Sequence, residues 1–217
     1  MTSISSLDII QRENRDFKKV GIMGGTFDPI HYGHLVIAEQ IRCEYQLDKI
    51  IFVPAGNPPH KLDADVSNSK HRYFMTLLAT VTNPFFEVSK IEMEEDEISY
   101  TIHTLTKLKK IFSEDVQLFF ITGADAICDI ENWKDVEVLV TMCDFIAATR
   151  PGLESPNLEE KIQQLQHKYN SSIRKMDVPA LAISSTDIRC RVREGQSIKY
   201  LLPESVEYYI YKHGLYR

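Results

Sequence analysis

Short apolar runs alternate with amphipathic stretches through most of this chain. Val20–Met23 reads as a first strand, and Leu35, Ala38, Ile41 and Tyr45 then mark one face of a helix. Ile50-Ile51-Phe52-Val53 is a continuous apolar run closed by Pro54, as expected of a strand buried on both faces. Tyr73–Val81 reads as helix and Phe85–Val88 as a short strand. Ile102, Leu105, Leu108 and Phe112 mark a further helix, and Val116–Thr122 is the strongest strand pattern in the chain. Trp133, Val136, Leu139 and Val140 predict a helix and Phe145–Ala148 a strand. Leu158–Tyr169 predicts a polar helix and Ile173–Met176 a last strand. Asp187–Arg193 and Ser205–Tyr211 predict closing helices, the second stopped by Gly214.

This β–α alternation predicts an α/β fold: a doubly wound, Rossmann-like parallel sheet with helices on both faces and a small C-terminal helical subregion. Right-handed crossovers put the loops that follow the strands on one edge, where such sheets bind ligands. The residues with chemical potential gather in those loops: Gly24–His34, Pro54–Lys61, Gly123–Asp125 and Arg150.

With 217 residues, the chain suits a polar N-terminal extension, 1–17, and one domain, 18–217. The extension carries Asp8, Glu13 and Asp16 and lacks the apolar core of a signal peptide. Four widely spaced cysteines, without a Cys-x-x-Cys, read as reduced thiols of a cytoplasmic protein. No apolar run is long enough to span a bilayer. A net charge of −6, with no dense Lys/Arg stretch, argues against a nucleic-acid partner but leaves room for a small anionic ligand in a local positive pocket.

The sharpest signal is Gly24-Gly25-Thr26-Phe27-Asp28-Pro29-Ile30-His31-Tyr32-Gly33-His34. A strand, a glycine turn, two histidines and a helix start come in that order. Such a start offers unpaired N–H groups and the positive end of the helix dipole to an anion. His31 and His34, three apart, can share one side of the helix, and Gly33 leaves the backbone clear between them for a polyphosphate. Imidazole N–H groups there can bind oxygens that gain charge during phosphoryl or nucleotidyl transfer. The plain alternative is a pair of helix-capping or half-buried histidines. A zinc site would need further ligands at suitable spacing, and none stands out. The stretch fits neither a lysine P-loop nor Gly-x-Gly-x-x-Gly.

The stretch resembles the signature of the His-x-Gly-His nucleotidylyltransferases, and within them the bacterial nicotinate-nucleotide adenylyltransferase family. The resemblance runs from about Lys19 to the C-terminus. Pro58-Pro59-His60-Lys61, Ser99-Tyr100-Thr101, Gly123-Ala124-Asp125, Arg150-Pro151-Gly152 and Ile183-Ser184-Ser185-Thr186-Asp187-Ile188-Arg189 each match a later motif. Two departures stand out: Thr149 replaces a serine before Arg150, and Lys134 stands where relatives often carry an aromatic.

The resemblance implies transfer of AMP from ATP to nicotinate mononucleotide, with Mg²⁺ held mainly by the ATP phosphates. His31 and His34 would be catalytic. Gly24, Gly25, Thr26, Phe27, Ser184, Ser185 and Arg189 would hold ATP. Lys61, Thr101, Asp125 and Trp133 would hold the mononucleotide, supported by Arg150. Backbone amides near Thr101 and Trp133 would read the nicotinate carboxylate, and Trp133 would stack on the pyridine ring. Each residue also has a plainer reading: Lys61 as a solvated loop cation, Thr101 and Asp125 as helix caps, Trp133 as core, Ser184–Arg189 as an N-cap run with a surface arginine. The competing functions are an adenylyltransferase for another phosphate, such as phosphopantetheine, and a catalytically silent nucleotide-binding protein on the same fold.

Overall fold

The computed structural model describes residues 17–58, 66–93, 98–149, 157–179 and 181–217. Within them six strands form one sheet in the order β3-β2-β1-β4-β5-β6, and every pairing is parallel. The strands are β1 (Lys19–Gly25), β2 (Lys49–Pro54), β3 (Phe86–Val88), β4 (Gln117–Gly123), β5 (Asp144–Thr149) and β6 (Ile173–Asp177). The helices between and after them are α1 (Tyr32–Tyr45), α2 (Ser69–Thr80), α3 (Thr101–Ile111), α4 (Ala124–Cys128), α5 (Val136–Met142), α6 (Leu158–Tyr169), α7 (Ser185–Arg193) and α8 (Glu204–His213). The strand order reverses between β1 and β4, so the loops after these two strands diverge and open a crevice at the C-terminal edge.

Alternate strand residues feed two cores. Val20, Ile22, Ile51, Val53, Leu118 and Phe120 join α3, α4, α5 and α6 on one face. Met23, Ile50, Phe52, Phe119 and Ile121 join α1, α2, α7 and α8 on the other. Burial on both sides explains the uninterrupted apolar runs, and each such buried side chain contributes about 1.5–3 kcal/mol. Ile188, Val192, Val206 and Ile210 share the second core with the sheet, so the C-terminal helices are continuous with the body of the fold.

The sequence pattern finds each strand within two residues of its ends. It misplaces two helix starts: α2 begins at Ser69, four residues ahead of Tyr73, and α5 begins late. Trp133 closes a short 3₁₀ turn (Ile130–Asn132), and α5 begins only at Val136, because Asp135 adopts a left-handed conformation (φ 52°) that interrupts the helix between them. The pattern also misses α4, five residues that are too short to show a period. No helix among the described residues is long and apolar enough to cross a membrane.

Candidate active site

The site grows from the end of β1. Gly24 and Gly25 continue into Thr26, and the chain turns through Phe27 in a left-handed conformation (φ 49°) before α1. The Phe27 ring is buried, not presented to a ligand. It packs edge-on against His34 at 5.2 Å between centroids and against Phe52 at 5.8 Å. It therefore supports a histidine and leaves only its backbone for ATP. Gly25 accommodates that ring, since a Cβ there would come within 2.8 Å of it.

His31 is the N-cap of α1 and nearly buried. The His31 backbone N–H donates to His34 Nδ1 at 3.2 Å, and the two rings stack at 3.8 Å with 29° between planes. This is the backward reach of a capping box, with histidine as the third helical residue. Because Nδ1 accepts, the neutral His34 ring carries its proton on Nε2, which makes Nε2–H the ring's hydrogen-bond donor.

Gly33 sits against the His31 ring. A Cβ on it would lie 2.9 Å from His31 Nδ1 and Cε1. The missing side chain makes room for the His31 ring. The helix start is also less open than the sequence implies: the Tyr32 N–H donates to Leu201 O and the His34 N–H to His31 O.

The C-terminal motif meets this turn. Ser185 Oγ donates to Pro29 O at 2.8 Å, and Arg189 Nη1 donates to Asp28 O at 2.7 Å. Ser184 Oγ caps α7 by accepting from the Asp187 N–H, which leaves its own O–H to donate. Arg189 Nε is buried and has no hydrogen-bond partner among the described residues. A buried cationic donor of this kind is one that an anion can satisfy. His31, His34, Ser185 and Arg189 thus surround the turn at Asp28–Pro29, although 158 positions separate His31 from Arg189 in the chain.

On the other side of Gly24–Thr26 lies a cavity of about 550 Å³, a size suited to a small-molecule ligand. Thr101, Asp125 and Trp133 line it together with Gly24, Gly25 and Thr26. Trp133 is half-buried, edge-on to Phe120 at 6.2 Å, so it is neither free nor wholly core. The Asp125 carboxylate folds back over Gly123, where a Cβ would meet Oδ1 at 2.3 Å. Pro58 also lines the cavity, but Lys61 and Arg150 lie outside the described residues. A larger cavity of about 730 Å³ sits at the opposite edge, between the ends of α3 and α5, and none of the motif residues lines it.

Two charged side chains outside the motifs, one buried and one half-buried, brace the loops around the site. Arg72, on α2, is fully buried and donates to Thr26 O, Gly56 O and Ser67 O at 2.8–2.9 Å. Burial lowers its pKa, against the pull of the Asp28 carboxylate. Glu92 lines the cavity and accepts from Thr104 Oγ1 at 2.5 Å. Burial raises its pKa, opposed by hydrogen bonds from Thr104, Ser99 and the Gly56 backbone. Asp28 is buried as well: Tyr216 OH donates to Oδ1 at 2.7 Å and the Ser67 N–H to Oδ2 at 3.2 Å. Burial and the Asp28 charge push the Tyr216 phenol well above its usual range. Nothing local in the sequence marks Arg72, Glu92 or Tyr216 as parts of a site.

The profile of the cytidylyltransferase-like family matches residues 22–191. With its parallel sheet and paired histidines, the chain belongs to this class of nucleotidyltransferases. A protein of Thermoanaerobacter sp. (strain X514) named probable nicotinate-nucleotide adenylyltransferase is 59% identical over 199 residues, covering 92% of this chain and 94% of its own length. A protein of the same name from Moorella thermoacetica (strain ATCC 39073 / JCM 9320) is 57% identical and covers 92% of each. The chain is a member of the nicotinate-nucleotide adenylyltransferase family. The nicotinic acid mononucleotide adenylyltransferase of Plasmodium falciparum, solved in complex with NaAD, shares the fold at a TM-score of 0.75 and 24% identity, over 92% of this chain and 97% of that one.

Proposed function

We propose that this chain carries out the reaction for which its family is named: transfer of AMP from ATP to nicotinate mononucleotide, giving nicotinate adenine dinucleotide and pyrophosphate, a step of NAD biosynthesis. The observation that carries the reading is the adjacency of two unlike half-sites. The stacked His31–His34 pair lies on one side of Gly24–Thr26, and the cavity lined by Thr101, Asp125 and Trp133 lies on the other.

The mononucleotide's phosphate oxygen attacks the α-phosphorus of ATP. The bond from that phosphorus to the bridging oxygen breaks, and pyrophosphate leaves with the electron pair. A phosphate monoester is ionised at neutral pH, so the attack requires no protein base and no covalent intermediate. Catalysis is positioning plus stabilisation of charge on the transferring and leaving groups.

In this reading Gly24, Gly25 and Thr26 hold ATP by close backbone approach. His34 donates Nε2–H to the triphosphate, with His31 stacked beside it. Ser184, Ser185 and Arg189 hold phosphate oxygens from the α7 side. Trp133 stacks on the pyridine ring, Asp125 accepts from the mononucleotide's hydroxyls, and the start of α3 at Thr101 receives its carboxylate. Lys61 and Arg150 keep the supporting roles that the motif match implies.

Mg²⁺ enters as part of the substrate MgATP, where it neutralises phosphate charge. No group of three or more His, Cys, Asp or Glu suited to a metal occurs among the described residues, and Asp28, beside the turn, already has both carboxylate oxygens engaged. In this reading the ion is held mainly by the ATP phosphates.

The test is direct: incubate the purified chain with MgATP and nicotinate mononucleotide, and follow pyrophosphate and dinucleotide. Stoichiometric release of both is expected. A folded protein that produces neither with this pair sinks the proposal.

A further inference from the structure

Resting on the reading above, we propose that the Lys134 side chain is a specificity-determining residue that selects the acid form of the pyridine mononucleotide over the amide. Lys134 follows the stacking Trp133 and lines the same cavity. Two carboxylates, Glu92 and Asp125, line that cavity, and Lys134 is the cation among its described lining residues. A dianionic phosphate that also bears a ring carboxylate enters such a cavity against repulsion unless a positive group waits where the carboxylate goes.

The Lys134 ammonium waits at the start of α3. Its Nζ lies 4.6 Å from the centroid of the Tyr100 ring, and Tyr100 is the N-cap of that helix. The same Nζ is 3.3 Å from His103 Nε2, in the first turn of α3. If it donates there, two of its three hydrogens remain for a ligand. No carboxylate among the described residues lies within ion-pair distance of it. The cation–π contact with Tyr100 steers a flexible side chain without neutralising it. Thr101 and the residue after it present N–H groups that the geometry of a helix start leaves without intrahelical partners. A ring stacked on Trp133 thus has its 3-substituent between backbone donors, which bind a carboxylate and an amide oxygen alike, and an ammonium, which binds the carboxylate much better. Backbone donors are indifferent to the residue at position 134. The ammonium is not.

The experiment compares kcat/KM for nicotinate and nicotinamide mononucleotides, each with saturating MgATP, in the native chain, Lys134→Met and Lys134→Arg. Methionine keeps an unbranched apolar stem and removes the charge. The acid-to-amide ratio is expected to fall by at least about fivefold in Lys134→Met, mostly through KM for the acid, and to recover in Lys134→Arg. Raising ionic strength should lower the native ratio and leave that of Lys134→Met unchanged. A ratio that does not move in Lys134→Met overturns the proposal, and so does a parallel loss on both substrates, which marks a purely structural role. A native chain that turns over neither mononucleotide overturns the functional reading itself, a result the ratio cannot mimic.

Discussion

The two halves of the cleft are built in opposite ways. The histidine side is written almost entirely in eleven consecutive residues, Gly24–His34, and each part there supports another: Phe27 backs His34, His34 caps His31, and Gly33 makes room for the His31 ring. The mononucleotide side is assembled from loops after β1, β2 and β4, the start of α3 and the turn before α5. Its parts do not touch in sequence and are tied by buried side chains from elsewhere. The contrast teaches where rigidity comes from. A contiguous turn is held by its own short-range contacts, whereas a composite wall needs struts such as Arg72, which bonds to three separate loop carbonyls.

The largest effect expected is that of His34→Ala. It removes a donor to the developing charge and should cut kcat by about a hundredfold or more, with KM for the mononucleotide nearly unchanged. A fall of less than about tenfold, 1.4 kcal/mol, would mean that His34 is no transition-state group. Gly33→Ala comes next. Helix propensity alone favours it by about 1 kcal/mol, yet its Cβ would sit 2.9 Å from the His31 ring. Activity should drop by about tenfold or more while thermal stability holds or rises; retained activity would show that the ring has somewhere else to go.

On the composite side, Trp133→Ala should raise KM for nicotinate mononucleotide by about tenfold and leave KM for ATP within about twofold. Equal changes in both constants would erase the distinction between the half-sites. Tyr216→Phe removes the hydroxyl that donates to buried Asp28, and the unmade bond should cost about 1–3 kcal/mol of stability, read as a lower denaturation midpoint.

The smallest effect is a pH dependence. Glu92 has a folded-state pKa above its ordinary 4.5, so the folded protein holds that proton more tightly than the unfolded chain does. Its contribution to stability is therefore full below the ordinary carboxylate range and declines as pH rises through the raised value. Glu92→Gln should flatten this decline above the ordinary carboxylate range; identical pH–stability curves for the two proteins would contradict the sign.

The histidine turn was legible because its chemistry is local: glycines, a helix start and two imidazoles occupy one window. The strands were legible because burial on both faces leaves unbroken apolar runs such as Ile50–Val53. The period puts Trp133 on a helix face that it does not occupy, since a hydrophobic period does not register the left-handed Asp135 that breaks it. Arg72, Glu92 and Tyr216 leave no trace, because the place of such a charge or phenol is set by what surrounds it in the fold. Phe27 carries a site signal while its buried ring backs His34, because a motif marks both the residues that touch a ligand and those that hold them.

By itself the sequence determined the parallel α/β order, the strand cores, the histidine pair and the family. Each depends on residues close in the chain or on a period repeated along it. Only the tertiary structure decided that α7 meets the Asp28–Pro29 turn, that Gly33 serves the His31 ring, and that Lys134 faces the same cavity as Thr101 and Asp125. Those are contacts between segments tens to more than a hundred residues apart. Packing across a folded core sets them, and no local propensity encodes them.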